Sequence, residues 1–355
     1  MIKILHSADW HLGAPLQCRD DAQSRLLREN LEKIPQKLAR LCRERGCQMM
    51  VLSGDVTDGV GDPETARHLR EVFAELKIPV FIAPGNHDYI CADSLWLRQA
   101  WPDNVHIFTG NEITCVTLPE LDCAVYGGAF TQMDCPGLLE NFRAESDCRY
   151  TVGVFHGDPT QVSSPYNPVT AAQVRASGLD YLALGHIHKG GSFRADKTLC
   201  AWPGCPMGRG FDEQGKKGAL IVTLDETAQA EFVPLDAPAF YEFSLDASDD
   251  PAQALASVLP PVGNTDFYRI TFTGESQPLE LETLLLPGFP NLELRDETVL
   301  PADLWGSAGE DTFEGLYFRR LHSAMEAADP DTARRIRLAA EISRKLLSGR
   351  EVELP

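Results

Sequence analysis

The sequence predicts an α/β fold with a smaller α+β domain and terminal helices behind it. Short β-branched runs alternate with helical patterns through the first two-thirds of the 355 residues, the mark of strands joined by helices. Polar residues gather just past the ends of those runs, where ligands collect in such folds. Near residues 234–238 two prolines appear and the pattern changes.

Residues 2–6 read as a strand. Residues 25–45 place Leu27, Leu31, Ile34, Leu38 and Leu41 at helical spacing, which predicts one helix closed by Gly46. Residues 49–52 read as a buried strand running into Ser53-Gly-Asp, and 63–76 as a helix. The strand 80–83 meets the turn Pro84-Gly-Asn, and 105–108, 113–118, 124–127, 151–156, 181–184 and 220–224 complete the strand series. Beyond the change in texture, 240–245, 266–272 and 291–294 read as strands, with helices at 251–259 and 278–286. Two helical patterns follow, one on Phe313, Leu316, Tyr317, Leu321 and Met325, the other on Ile336, Ala340, Leu346 and Leu347. Asp329-Pro330 parts them, with Asp331 expected as the cap. The expected domains are 1–235, 236–311 and a helical segment at 312–355.

Composition limits the function classes. With 52 acidic and 32 basic residues the formal charge is -20, which argues against a surface that coats DNA, because phosphate binding draws on Lys and Arg. A nuclease whose positive charge comes from metal ions escapes that argument. The acidity is uneven: residues 236–318 hold 16 acidic residues and only Arg269 and Arg295 as cations, while 319–355 hold eight basic and six acidic residues. The ten cysteines form no Cys-x-x-Cys pair, the tightest spacings being Cys42/Cys47 and Cys200/Cys205. Zinc knuckles and dithiol redox motifs are thereby excluded. No apolar run reaches the roughly 18 residues of a membrane span, and the first residues resemble a strand, not a signal peptide. A cytoplasmic protein with reduced thiols is expected.

Five segments carry the chemistry: Asp9-Trp-His11, Gly54-Asp55, Gly85-Asn86-His87-Asp88, His156-Gly-Asp158 and Gly185-His186-Ile-His188. Each follows a predicted strand, so all can converge on one edge. Together they offer carboxylate, amide and imidazole donors without a thiolate, which suits Mn²⁺, Fe²⁺ or Zn²⁺ at a catalytic site and not a structural zinc. Any one alone is weak, since Gly-Asp pairs are commonplace in turns. Five in order after five strands are not. Glycine before Asp55, Asn86 and His186 lets the chain leave the strand sharply, and one carboxylate such as Asp55 can bridge two cations about 3.5–4 Å apart.

The ordered set Asp-x-His, Gly-Asp, Gly-Asn-His-Asp, His and Gly-His-x-His resembles the signature of the calcineurin-like metallophosphoesterases. More narrowly, Leu-His-Ser-Ala-Asp-Trp-His-Leu-Gly at 5–13 and Gly-His-Ile-His-Lys at 185–189 resemble the SbcD-type DNA repair exonucleases. Tyr-Gly-Gly-Ala-Phe at 126–130 and the stretch 203–218 are similar to their short, YhaO-like branch. The resemblance is strong over 1–235 and looser beyond. It implies a four-layer αββα sandwich with a small α+β capping domain and C-terminal helices. It also implies two divalent ions, Mn²⁺ foremost, one held by Asp9, His11 and His188 and the other by Asn86, His156 and His186, with Asp55 shared. In the implied reaction a metal-bridging hydroxide attacks phosphorus, His87 assists the leaving oxygen and Asp88 orients the His87 ring. DNA is the implied substrate, an SbcC-like coiled-coil ATPase docked through 312–355 the implied partner, and a homodimer the implied assembly.

The sequence departs from the family after Gly54-Asp55, where Val56-Thr57-Asp58 offers Asp58 but no second phosphate-facing histidine. Arg209 reads equally as a phosphate contact and as a solvated loop arginine. His6 reads as a core or supporting residue, His68 as a surface one, and His106 and His322 have no motif around them. The rival enzyme reading is a phosphoesterase for small molecules such as cyclic nucleotides or phosphomonoesters. A protein Ser/Thr phosphatase is disfavoured because Gly59 and Val60 stand where its arginine belongs. A scaffold with a vestigial site is disfavoured because all seven ligand positions hold competent residues.

Overall fold

The computed structural model describes residues 1–347 apart from 17, 248–249 and 300–302. The chain divides into two compact units, Met1–Tyr241 with Thr265–Tyr268, and Glu242–Asn264 with Arg269–Pro355. The first unit contains strands β1 (Ile2–Ser7), β2 (Met49–Leu52), β3 (Val80–Ile82), β4 (Val105–Ile107), β5 (Thr114–Leu118) and β6 (Cys123–Gly127). It continues with β7 (Tyr150–His156), β8 (Tyr181–Gly185), β9 (Lys189–Ala195), β10 (Thr198–Gly204), β11 (Gly218–Leu224) and β12 (Ala228–Pro234). These form two six-stranded sheets, ordered β12-β11-β1-β2-β3-β4 and β5-β6-β7-β8-β10-β9.

The sheets pack face to face because alternate residues of each strand are apolar on both sides. Val125, Val152, Val154, Tyr181 and Ala183 share one buried cluster with Leu5, Val51 and Phe81 of the first sheet. Their neighbours along the strands, Ala124, Phe155, Leu182 and Leu184, point the other way into a second cluster with Val174. Helices α1 (Asp21–Glu32), α2 (Ile34–Glu44) and α3 (Pro63–Leu76) add Leu27, Leu31, Leu38 and Leu69 to the first cluster. After the short α4 (Leu95–Arg98), α5 (Ala171–Ala176) supplies Val174 to the second. This is the α/β sandwich expected.

Several elements differ from the sequence reading. The single helix expected at 25–45 is two, because Lys33 turns and Pro35 at the start of α2 has no N–H to continue the ladder. Strands β9, β10 and β12 escaped the reading. β9 and β12 lie at sheet edges with mostly exposed side chains, so they lack apolar alternation.

The second unit contains α6 (Pro251–Val258) and, apart from the first two residues of β13 and of β14, a three-stranded sheet ordered β13 (Phe240–Asp246), β14 (Phe267–Thr273), β15 (Leu292–Asp296). The helix expected at 278–286 is only the 3-10 turn Leu281–Leu284, cut short before Pro287. Helices α7 (Phe313–Glu326) and α8 (Pro330–Leu347) follow. The cap of α8 is Asp329, which accepts from the Asp331 and Thr332 amides at 3.1 Å, not Asp331 as expected. Pro330 takes the first helical position, so the cap is the residue before it, two residues ahead of the expected one. The end of the expected docking segment, 348–355, lies outside the described residues.

His6 shows how the inter-sheet core treats a histidine. Its Nδ1 lies 2.7 Å from Tyr181 Oη and its Nε2 2.8 Å from Ser53 Oγ, with the ring fully buried. Burial lowers its pKa to about 3. A folded pKa below the ordinary 6.5 means that the neutral ring contributes stability above about pH 6.5, lost as pH falls towards 3. Relative to the wild type, His6→Gln is therefore expected to lose one proton's worth of pH dependence, about 1.4 kcal/mol per pH unit between pH 6 and 4. Urea unfolding at pH 7, 6 and 5 measures it; identical pH dependence in the two proteins would contradict the burial argument.

Candidate metal centre

Parallel pairing brings the carboxyl ends of β1, β2 and β3 to one edge of the first sheet, and those of β7 and β8 to one edge of the second. All five sequence segments start there. The loops are held in demanding conformations, with Asp9, His11, Asp55 and His186 all at positive φ (55°, 50°, 51° and 96°). Each such non-glycine residue costs roughly 1–3 kcal/mol and persists only where its surroundings compel it. Here the first two loops bind each other: the amides of Asp9, His11 and Leu12 donate to the carbonyls of Gly54, Asp55 and Val56 at 3.0–3.1 Å. Gly85 is needed for a close approach, since a Cβ there would lie 2.3 Å from Asp55 Oδ1.

The side chains fall into two groups. In one, Asp9, His11 and His188 set their ligand atoms within 4.8 Å of one another, the two Nε2 atoms 3.2 Å apart. In the other, His156 Nε2 lies 3.0 Å from Asn86 Oδ1 and 3.3 Å from His186 Nδ1, and Asn86 Oδ1 is 3.2 Å from His186 Nδ1. Asp55 Oδ2 stands between the groups, 3.8 Å from His11 Nε2 and 3.4 Å from His156 Nε2. Its other oxygen accepts from the His87 amide at 2.9 Å.

The chemistry of these atoms fits divalent cations. His156 Nδ1 lies 2.8 Å from the Ser53 carbonyl, which can only accept, so Nδ1 carries the proton and Nε2 presents a lone pair to the oxygens of Asn86 and Asp55. His188 is fixed the same way: its Nδ1 donates to Glu213 Oε1 at 2.6 Å, turning the Nε2 lone pair towards His11. Asp9 Oδ2 is buried without a hydrogen-bond partner. Lone pairs facing lone pairs, with an orphaned carboxylate oxygen beside them, are costly unless a cation fills the space.

Burial dominates the electrostatics. It raises Asp9 to about 6 and lowers His11 and His186 to about 4, leaving those rings neutral and able to act as ligands at neutral pH. Burial would raise Asp55 as well, but the His156 and His11 rings and the His87 amide hold it below its ordinary value. For His188 burial works against the charged ring, but the Glu213 hydrogen bond and the charges of Asp9 and Glu213 together outweigh it, so the pKa is raised.

One expected role is corrected, and one of two open readings falls. Asp88 does not orient His87. Its carboxylate is consumed by three amides, Gly85 at 2.7 Å, Val56 at 2.9 Å and Asp55 at 3.1 Å, and so ties the second loop to the third. The residue that holds the His87 ring is Asp58, whose Oδ1 lies 2.7 Å from Nδ1. Nor is Arg209 a solvated loop residue: its guanidinium pairs with Glu213 at 2.9 Å and lies 3.1 Å from His188 Nδ1. His68 stays on the surface, hydrogen-bonded to Gln36. Glu213 itself, 6% exposed, escaped the sequence reading because no strand end precedes it. Glu213→Gln is expected to weaken metal binding about 10–100-fold. Titrating the metal-free protein with Mn²⁺ measures this, and unchanged affinity would show that Glu213 does not support His188 as a ligand.

Comparison with known proteins gives one family. The profile of the calcineurin-like phosphoesterases matches residues 2–190. Among curated relatives, "Uncharacterized metallophosphoesterase YhaO" of Bacillus subtilis (strain 168) is 28% identical over 238 residues, 62% of this chain and 57% of that protein. The SbcD component of the nuclease SbcCD from the same organism is 24% identical over 268 residues, 62% of this chain and 66% of that protein. The chain thus spans less than two-thirds of either relative's length. A dimetal phosphatase from Danio rerio superposes at a TM-score of 0.44 with 11% identity, over 64% of this chain and 95% of that one, a likeness too slight to carry weight. Among the described residues no helix is long and apolar enough to cross a membrane.

Proposed function

This chain belongs to the calcineurin-like phosphoesterase family, and on that footing we propose that it is a dinuclear metal-dependent phosphodiesterase that cleaves DNA, the nuclease component of an SbcCD-like repair assembly. The observation that carries the two-ion part is Asp55 Oδ2, set 3.8 Å and 3.4 Å from one ring of each ligand group. Asp9, His11 and His188 would hold one ion and Asn86, His156 and His186 the other, with Asp55 available to both. Mn²⁺ is the preferred ion, with Fe²⁺ and Zn²⁺ compatible with the same donors. When bound, the ions supply Lewis-acid charge and a nucleophile at neutral pH.

The chain's own residues do the rest. Ser53 and Glu213 hold the rings of His156 and His188 in the tautomers that present Nε2. Asp88 fixes the loops that carry Asp55 and Asn86. Asp58 engages Nδ1 of His87, so Nε2 is the nitrogen left to protonate the leaving oxygen of a phosphodiester. Arg209, already paired with Glu213, adds positive charge beside His188 for a phosphate oxygen.

The DNA part draws on the likeness to the SbcD component of the SbcCD nuclease and on the second unit, which a small-molecule esterase does not need. In this reading residues 1–235 form the phosphoesterase domain, 236–311 a cap, and 312–355 the segment that docks on a coiled-coil ATPase. Phe313, 87% exposed, together with exposed Leu316, Leu346 and Leu347, supports that docking. The acidity of 236–318 favours the other reading, a phosphodiesterase for small molecules. A Mn²⁺-dependent assay offering single-stranded DNA and a cyclic nucleotide side by side separates them. DNA cleavage with little turnover of the cyclic nucleotide is expected; the reverse would overturn the DNA assignment.

A further inference from the structure

Beside the metal centre, a cleft of about 430 Å³ opens between β9 and β10 of one sheet and β11 and β12 of the other. Lys189, Lys216 and Lys217 line it with Trp202 and Phe232, and among the described residues no Asp or Glu does. In a chain with 52 acidic residues against 32 basic ones, an acid-free wall with three ammonium groups is a local reversal of charge. Asp266 balances Lys216 at 3.0 Å, which leaves Lys189 and Lys217 as the cleft's net charge. Both adjoin the site: Lys189 follows His188 in the chain, and Lys217 Nζ donates to the His188 carbonyl at 3.3 Å.

Trp202 donates its indole N–H to the Lys189 carbonyl at 3.0 Å. It also faces Gly191 across the ladder, so closely that a Cβ there would lie 2.5 Å from the ring. The indole is therefore fixed on the second cluster's side of the sheet, beside Phe193, and Phe232 is the ring left to face the cleft. Phe232, on the neighbouring sheet's edge strand, is 46% exposed. Ammonium groups that follow a phosphate backbone, alternating with rings on which bases stack, are the means by which single-stranded nucleic acid is held without sequence preference.

We propose that this cleft binds the single-stranded nucleotides adjoining the phosphodiester held at the metal centre, with Lys189 and Lys217 on phosphates and Phe232 against a base. This rests on the DNA-cleaving reading and adds where the strand runs. The contrary account is that the lysines merely keep two sheet edges from pairing with other chains.

The test uses fluorescein-labelled decathymidylate and the metal-free full chain in low salt, with fluorescence anisotropy as readout. The wild type is expected to bind. Phe232→Ala should bind roughly tenfold more weakly, and Lys189→Ala should flatten the slope of log affinity against log salt by about 0.7. Neither variant should change Mn²⁺-dependent hydrolysis of bis(p-nitrophenyl) phosphate, which is too small to reach the cleft. Absence of binding by the wild type, or equal binding by wild type and both variants, would overturn the cleft. If the wild type still cleaves DNA in that case, the nuclease reading stands and only the path of the strand is wrong.

Discussion

In a His87→Ala variant, turnover of a phosphodiester is expected to fall by about 10²–10⁴-fold, the usual worth of a positioned general acid, while the protein still binds its two ions. The separation follows from geometry. The side chain is 43% exposed, its Nδ1 engaged by Asp58 at 2.7 Å, and its ring packs edge-on to His11 with centroids 4.6 Å apart. It thus borders the first ligand group without belonging to the set proposed to hold an ion. Its backbone amide, which the substitution keeps, is the part that holds Asp55. A substrate whose leaving group needs no proton, such as a p-nitrophenyl ester, should lose much less rate than DNA does. Full DNA cleavage by His87→Ala would remove the proposed acid, and loss of an ion would make the residue a ligand instead.

The second large effect is expected from Asp55→Asn. The amide oxygen can still accept from the His87 N–H, so the loop keeps its shape. The amide nitrogen, however, replaces the oxygen that faces both His11 and His156, and it has no lone pair to share between two ions. Loss of the bridge forfeits several kcal/mol of charge stabilisation at phosphorus, roughly a thousandfold or more in rate. The rise in melting temperature that Mn²⁺ gives the wild type should shrink with it, because that rise is binding free energy. A variant that cleaved normally and was stabilised normally by Mn²⁺ would show that the two groups do not share this carboxylate.

Much of this site was legible because strand ends are legible. The runs before Asp9, Asp55, Gly85, Gly157 and His186 are short and apolar, and parallel pairing forces their ends to one edge, so polar residues placed there must meet. What the sequence concealed lies in the irregular loops. Asp88 adjoins His87 in the chain, which made it the natural partner of that ring. The loop instead turns its carboxylate onto three unpaired amides, and Asp58, nearly thirty residues earlier, arrives at the imidazole. Glu213 was hidden for a related reason, reaching His188 from the loop between β10 and β11. The edge strands β9 and β12 were hidden because their mostly exposed residues, Lys189 of the proposed cleft among them, need not alternate.

The charge of the chain also reads differently against this arrangement. Its net negative charge is concentrated at 236–318, in the second unit for the most part, while the wall next to the ligand loops is cationic. The objection to a nucleic-acid substrate therefore applies to the second unit more than to the surface beside the site. Weak, salt-sensitive DNA binding by the isolated chain is what such a distribution would produce.

Sharing of the Asp55 carboxylate by two metal ions is the feature on which the proposed chemistry depends. It is tested most directly by counting: the chain is stripped of metal, reconstituted with Mn²⁺, desalted and measured by elemental analysis. Two ions per chain are expected in the wild type and fewer in Asp55→Asn. A single ion in the wild type, or an undiminished pair in the variant, would contradict the account.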